Sequence, residues 1–298
     1  MSSTVHIPIL TAEILQLLAP QPGDCCIDAT VDGGGHASAW LAATAPGGRL
    51  LGIDRDPELL AVANERLAPE VAAGRATLVG ANFRELTEIA REAGFGSVQA
   101  IVFDLGVSSY HFDRSGRGFA FARPEPLDMR FESEGQTAAE IIAEASLDEL
   151  THIFRDYGEE RFARRVAVGV TRRREREPIT DTEQLLDVIR VALPANIRWQ
   201  ANRSAARIFQ ALRIAVNQEI DAVREAIPQA LELLAPGGRL AVLSFHSLED
   251  RIVKHLFADW AREGRVERLT KKPLRAGDAE IVENSRAASA KLRACRKL

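Results

Sequence analysis

A chain of 298 residues with 46% apolar content is long enough for one large domain or two smaller ones. Its formal charge of −4 gives no whole-chain signal for nucleic acid, so any basic face must be local. Three cysteines, two of them adjacent at Cys25 and Cys26, show no C-x-x-C spacing, and no apolar run reaches membrane length. A disulfide framework, a metal centre and a membrane protein are therefore set aside in favour of a soluble cytoplasmic protein; the opening MSSTVHIPIL has no leader pattern.

Taken in order, CCIDAT (25–30) reads as a strand, followed by a glycine cluster and the helical HASAWLAATA. GRLLGIDRD (48–56) is a second strand, with PELLAVANERLA a helix that starts near Pro57. RATLVGANF (75–83) is a third strand, RELTEIAREAG a helix closed by Gly94, and SVQAIVFDLG (97–106) a fourth strand. Strand and helix alternating at this pitch predict an α/β fold with a parallel, doubly wound sheet. The rhythm then breaks. The next convincing strand is GGRLAVLSF (237–245), preceded by a Pro-Gly-Gly turn and by one long amphipathic stretch, 208–236. About 130 residues separate Asp104 from Arg239 where a one-helix crossover needs roughly 30. The surplus predicts a helical domain inserted after strand four, residues 113–204, with 1–112 and 205–298 forming the sheet domain. The polar, basic tail from Lys271 is expected to run partly extended over the surface.

In an open parallel sheet, ligands bind beyond the carboxyl ends of the strands. Four successive strand ends here carry suggestive residues. Strand one ends in DATVDGGGH, with Asp28, then Gly33, Gly34, Gly35 and His36, where glycines let backbone approach a ligand. Strand two ends in Asp54, a carboxylate that can accept both hydroxyls of a ribose. Strand three leads to Phe83, whose face could cover a purine, and strand four ends in Asp104. Each has a blander reading, as a tight turn, a helix cap or ordinary core. Their joint placement favours a nucleoside-type cofactor. The dinucleotide fingerprint G-x-G-x-x-G is absent, which disfavours an NAD-linked oxidoreductase.

The motifs HIPIL, DATVDGGGH, GIDRDP, FDLGVSS, RGFAF, PLDMR, YGEERFARR, FQALRIAVNQE and SFHSLEDRIVK follow one another in this order, with TKKP and EIVENSRAASAKLR behind them. Together they closely resemble the bacterial ribosomal RNA small-subunit methyltransferase H family, also called MraW, over nearly the whole chain. The resemblance implies a Rossmann-like S-adenosylmethionine-dependent methyltransferase sheet, with the inserted helical domain recognising substrate. It also implies methyl transfer to the exocyclic N4 of a cytidine in the decoding centre of 16S ribosomal RNA within the small subunit. Neither DNA nor a membrane is an implied partner, and the oligomeric state, a homodimer included, is left open.

The resemblance carries cofactor contacts onto Gly34, Gly35, His36, Asp54, Phe83 and Asp104, and adds His111, where the family often has glutamine. The segment Ser109-Tyr110-His111 departs from the usual pattern at two positions, and DGGGHA varies mildly from G-x-G-G-H-S. Methyl transfer from a sulfonium needs no metal; it needs in-line approach and exclusion of water, so positioning dominates. Asp104 is expected to shape the junction of donor and target amine in place of the absent Asn/Asp-Pro-Pro-aromatic motif. His246, in SFHSLEDR past the last strand, is a second candidate catalytic residue, with Ser244 and Ser247 beside it. The target base must leave its stack to be reached. Arg161, Arg164, Arg165, Arg172, Arg173, Arg174 and Arg176, near Tyr157 and Phe162, form the candidate RNA surface, with glutamates of the same stretch as alternative ion partners. A non-catalytic RNA or assembly module with a vestigial cofactor site is the remaining rival.

Overall fold

The computed structural model describes residues 8–298, so the first residues of the HIPIL motif, His6 and Ile7, lie outside the described residues. Seven strands form one sheet: β1 (Cys25–Asp28), β2 (Arg49–Asp54), β3 (Ala76–Gly80), β4 (Val98–Asp104), β5 (Leu234–Ser244), β6 (Val266–Arg268) and β7 (Lys291–Lys297). Their order is β3-β2-β1-β4-β5-β7-β6. The first five pair in parallel, while β7 runs antiparallel to both β5 and β6. The strand order reverses direction between β1 and β4, and the crevice at such a switch point is where doubly wound sheets bind ligands.

Strands covered on both faces read as near-continuous apolar runs, which is why CCID, RLLGID and VQAIVFD look as they do. Alternate residues feed opposite faces. Ile27, Ile53, Ile101, Phe103, Leu240 and Val242 pack on one side with Leu86, Ile227 and Phe257. Cys26, Leu50, Ala100, Val102, Ala241 and Leu243 pack on the other with Ile14, Leu18 and Trp40.

The chain divides into two compact units, Met1–Gly106 with Ile220–Leu298, and Val107–Glu219. The inserted unit is thus larger than the expected 113–204. Val107 and Phe112 pack on its core, and the helix Ala201–Asn217 gives that core Ile208, Phe209 and Leu212. The expected single amphipathic stretch over 208–236 is two helices, Ala201–Asn217 and Glu219–Leu233, split where Gln218 adopts a left-handed φ of 50°. Within the inserted unit, Asn217 clamps the PLDMR segment: its side chain accepts from Phe131 N–H at 3.0 Å and donates to the Met129 carbonyl at 2.7 Å. Arg213 and Glu219 add a bidentate, buried ion pair at 2.7 and 2.8 Å.

Two further expectations are corrected. The Pro-Gly-Gly segment is not a turn ahead of β5 but lies within it, the pairing with β4 shifting register between Val98 and Ala100. Gly237 takes a φ of 79°, and a Cβ on Gly238 would sit 2.8 Å from the Ala235 carbonyl, so both positions favour glycine. The tail, expected at the surface, ends in β7 inside the sheet, with Leu292, Ala294 and Cys295 buried. A basic strand can enter because Arg293, 8% exposed, is held by Asp250 at 2.6 Å, from the helix Ser247–Arg262. Removing one partner of a buried pair strands the other charge at a cost of about 3–5 kcal/mol. Asp250→Ala should therefore lower the urea midpoint of the sheet unit markedly, and Arg293→Met with Asp250→Ala should recover most of that loss.

Candidate active site at the carboxyl edge of the sheet

The loop after β1 is shaped by its neighbours before any ligand is considered. Val31 N–H donates to the Ile53 carbonyl at 2.8 Å, which carries the pairing with β2 past Asp28. Asp32 and Gly34 then take φ values of 47° and 77°, and the helix Gly35–Ala43 begins. At Gly34 the left-handed turn demands glycine; at Gly35 a Cβ would come within 2.8 Å of the Pro8 ring. The chain's own Pro8 thus packs where a side chain at Gly35 would stand.

Asp54 ties this loop to β2. One carboxylate oxygen accepts the Asp32 N–H at 2.8 Å and the other the Asp56 N–H at 2.9 Å. Each oxygen retains a lone pair, so the half-buried carboxylate can still accept two hydroxyl donors. Burial pushes this carboxyl up to about 7, the two backbone donors only partly offsetting it.

His36 bridges the loop to β4. Its Nε2 lies 3.3 Å from a carboxylate oxygen of Asp104, and its Nδ1 lies 3.3 Å from the Thr11 hydroxyl. Burial disfavours the imidazolium, yet the hydrogen bond to Asp104 and the charges of Asp104 and Asp28 together hold the ring above its ordinary value. Asp104 is also fixed through its backbone, its N–H donating to the Thr30 hydroxyl at 2.6 Å. Asp28 stands behind, fully buried, with one oxygen accepting the Thr30 N–H at 3.2 Å and the other without a hydrogen-bond partner. Its burial pushes the carboxyl up to about 7 against the pull of His36. Thr11 and Thr30 are the positions that sequence reasoning missed; nothing local marks either as a hydrogen-bond partner of a residue so far along the chain.

Phe83 opens the short turn Phe83–Glu85 after β3, half-buried, its ring edge-on to Phe103 at 5.6 Å between centroids. The structure therefore brings Gly34, Gly35, His36, Asp54, Phe83 and Asp104 to one edge of the sheet, within one compact unit. His111 belongs to the other unit. It is buried there, its Nδ1 accepting the Ser108 N–H at 3.0 Å in a capping box, its ring 4.9 Å from both Phe119 and Phe131.

His246 follows β5, next to Asp104 because Leu105 N–H donates to the Leu243 carbonyl at 2.9 Å. It caps the helix Ser247–Arg262 and is buried, its Nε2 3.1 Å from Glu249, whose carboxylate also accepts the Phe245 N–H at 2.9 Å. His246 here takes the N-cap place that Ser or Thr usually fills, with Glu249 at the third helical position closing the capping box.

The arginines of the inserted unit divide by use. Arg174 donates to the Ile142 and Ala145 carbonyls, Arg164 pairs with Asp148 at 3.3 Å, and Arg173 pairs with Glu177. The expected aromatic partners are occupied as well: Arg161 lies over the Phe162 ring at 4.4 Å, and Tyr157 packs on the unit's core.

The two raised carboxyls give a pH signature. In the unfolded chain both titrate near 3.8, so between about pH 4 and 7 the folded chain keeps protons that the unfolded chain has released. Their contribution to stability therefore falls as pH rises through that window and is level above it. Urea midpoints of ligand-free protein measured from about pH 5 to 8 should show a shallower decline in Asp28→Asn than in the parent.

With this geometry established, comparison with known proteins assigns the family. Residues 3–298 match the model of the MraW methylase family. A ribosomal RNA small subunit methyltransferase H from Heliobacterium modesticaldum is 46% identical and covers 98% of this chain and 98% of its own length. Proteins of the same name from Symbiobacterium thermophilum, at 44%, and Frankia alni, at 46%, cover 98% of this chain and 96% and 95% of theirs. Among solved structures, a putative rRNA-methylase from Clostridium thermocellum covers 98% of both chains at 12% identity and a TM-score of 0.47. From its opening residues to its last strand, the chain belongs to the MraW methylase family.

Proposed function

We propose that this protein transfers a methyl group from S-adenosylmethionine to the exocyclic N4 of a cytidine in the decoding centre of 16S ribosomal RNA, in the small ribosomal subunit and hence in the cytoplasm. The family makes it a methyltransferase. The observation that carries the reading is the carboxylate pair, Asp54 and Asp104, fixed at the ends of β2 and β4, the two strands that flank β1 and its glycine turn. No helix among the described residues is long and apolar enough to cross a membrane.

The residues present fit such a cofactor. Asp54 retains acceptor capacity for ribose hydroxyls, the left-handed turn at Gly34 brings the chain from β1 into the following helix beside it, and Phe83 offers an apolar face to an adenine ring. The bound cofactor supplies an electrophilic methyl on a sulfonium. The protein's task is then positional. Thr30 fixes the backbone of Asp104 and His36 stands 3.3 Å from its carboxylate, so the carboxylate is ready to accept an amino hydrogen with little reorganisation. His246, locked by Glu249, fixes the wall beside Asp104 and is a candidate for contact with the target base. His111 is a candidate for a cofactor contact from the inserted unit, which supplies substrate recognition. A homodimer is compatible with this scheme and is not required by it.

Tritiated methyl transfer to undermethylated small subunits, naked ribosomal RNA and DNA in parallel tests the reading. Label should appear on small subunits and, after nucleoside analysis, on N4 of cytidine. Label confined to a cytosine carbon or to DNA would overturn it. Asp104→Asn should cut the transfer rate roughly 10²-fold or more with cofactor affinity changed far less. Cofactor affinity measured by calorimetry should rise with pH through about 7, because only the Asp54 carboxylate accepts two hydroxyls. In Asp54→Asn it should be weak and flat with pH.

A further inference from the structure

The inserted unit carries an aromatic side chain that its own packing does not use. Trp199, in the turn Ala195–Gln200, is 80% exposed, whereas Trp40 and Trp260 are 2% and 5% exposed. Leaving an indole in water forgoes one of the larger burial gains open to a side chain. Val191, at the end of the helix Thr182–Ala192, is 72% exposed on the same segment of chain.

The surroundings of Trp199 are cationic. From Val188 to Gln218 the sequence contains no aspartate or glutamate, while it carries Arg190, Arg198, Arg203, Arg207 and Arg213. Arg190, Arg207 and Arg213 have acidic partners, namely Asp187, Glu160 and Glu219. Arg198 and Arg203 form no ion pair among the described residues, and both are exposed. Arg198 is anchored to the Leu193 carbonyl at 3.4 Å. Arg203 stands four residues beyond Trp199, in the first turn of the helix Ala201–Asn217 that follows directly on the turn. A third exposed cation arrives from another helix: Arg165 Nε donates to the Ala192 carbonyl at 2.8 Å, beside Val191.

An exposed indole among arginines that lack acidic partners is the arrangement by which proteins hold unpaired nucleic acid. The base stacks on the ring while phosphates meet the guanidinium groups. A protein partner with an apolar face would leave Arg165, Arg198 and Arg203 unmatched, and a duplex would hide its base faces. We propose that Trp199 is a stacking platform for an unpaired base of the RNA substrate, with Arg165, Arg198 and Arg203 holding the adjoining phosphates. This rests on the reading of RNA as substrate and places a docking contact for it on the inserted unit, apart from the arginines 172–176.

Because Trp199 is the exposed member of three tryptophans, the protein carries its own probe. Acrylamide quenching of emission is followed on adding an unstructured single-stranded RNA oligonucleotide, a duplex of equal length, or buffer alone. Single-stranded RNA should shield the quenchable fraction, and duplex RNA should shield it far less. Trp199→Ala should weaken binding of the single strand roughly ten-fold, Trp199→Phe should restore most of it, and Arg203→Ala should reduce the salt slope by about one. On undermethylated small subunits, Trp199→Ala should raise KM and leave kcat and cofactor affinity near the parent values. Equal single-strand affinity in the Trp199→Ala protein would overturn the proposal. So would shielding that appears on raising protein concentration without RNA, which would mark the face as a contact between copies of the chain. A parent protein that binds the oligonucleotide through Trp199 yet labels no small subunit would sustain this inference while sinking the proposed reaction.

Discussion

The geometry of the candidate site depends on one carboxylate. Asp54 receives two backbone N–H groups, one from its own strand end and one from the loop after β1. That loop contains two left-handed residues in close succession, a conformation that costs free energy wherever the residue is not glycine, as at Asp32. The bond from Asp32 N–H to Asp54 offsets that cost and fixes where Gly34 turns. Remove the carboxylate and the loop, the start of the following helix and the position of His36 all lose their reference point.

His36 then transmits the constraint to β4. The ring spans from Thr11 to Asp104, so three segments distant in sequence are joined by one buried imidazole. The network concentrates acidic groups where water is scarce. Asp28 and Asp54 are held up to about 7 by burial, which is a running cost to the folded state at neutral pH. A site that must receive hydroxyl and amino donors benefits from acceptors oriented in advance, and the fold tolerates the electrostatic penalty because two large apolar faces flank it.

Much of this was legible in the sequence, for identifiable reasons. The four strands β1 to β4 announce themselves because each is a compact apolar run ending in a polar residue or glycine, and Asp54 and Asp104 stand at those ends. What escaped was whatever depends on partners far along the chain. β7 looked like a surface tail because KLRACRK is basic, and only the pairing of Arg293 with Asp250 makes it suitable for the sheet interior. The break at Gln218 escaped because apolar periodicity continues on both sides of it. The limits of the inserted unit shifted because Phe209 and Leu212, helical and apolar, could have served either core by pattern alone. His111, picked out by resemblance, sits in a capping box beside two phenylalanine rings of the inserted unit, a setting that no local pattern announces.

The placement of β7 between β5 and β6 has a consequence for the order in which the molecule can be assembled. The inserted unit is one continuous stretch, so a growing polypeptide releases all of Val107–Glu219 before β5 exists. Its core can close while the sheet has only four strands. β5, when it emerges, pairs with β4 on one side and keeps a bare hydrogen-bonding edge on the other until residues 291–297 arrive. An unpaired apolar edge is an invitation to intermolecular pairing. The nascent chain therefore passes through a window, opening with β5 and closing with β7, in which the helices Ser247–Arg262 and Asp278–Glu283, the turn Ser285–Ser289 and β6 are what the sequence between can offer as cover.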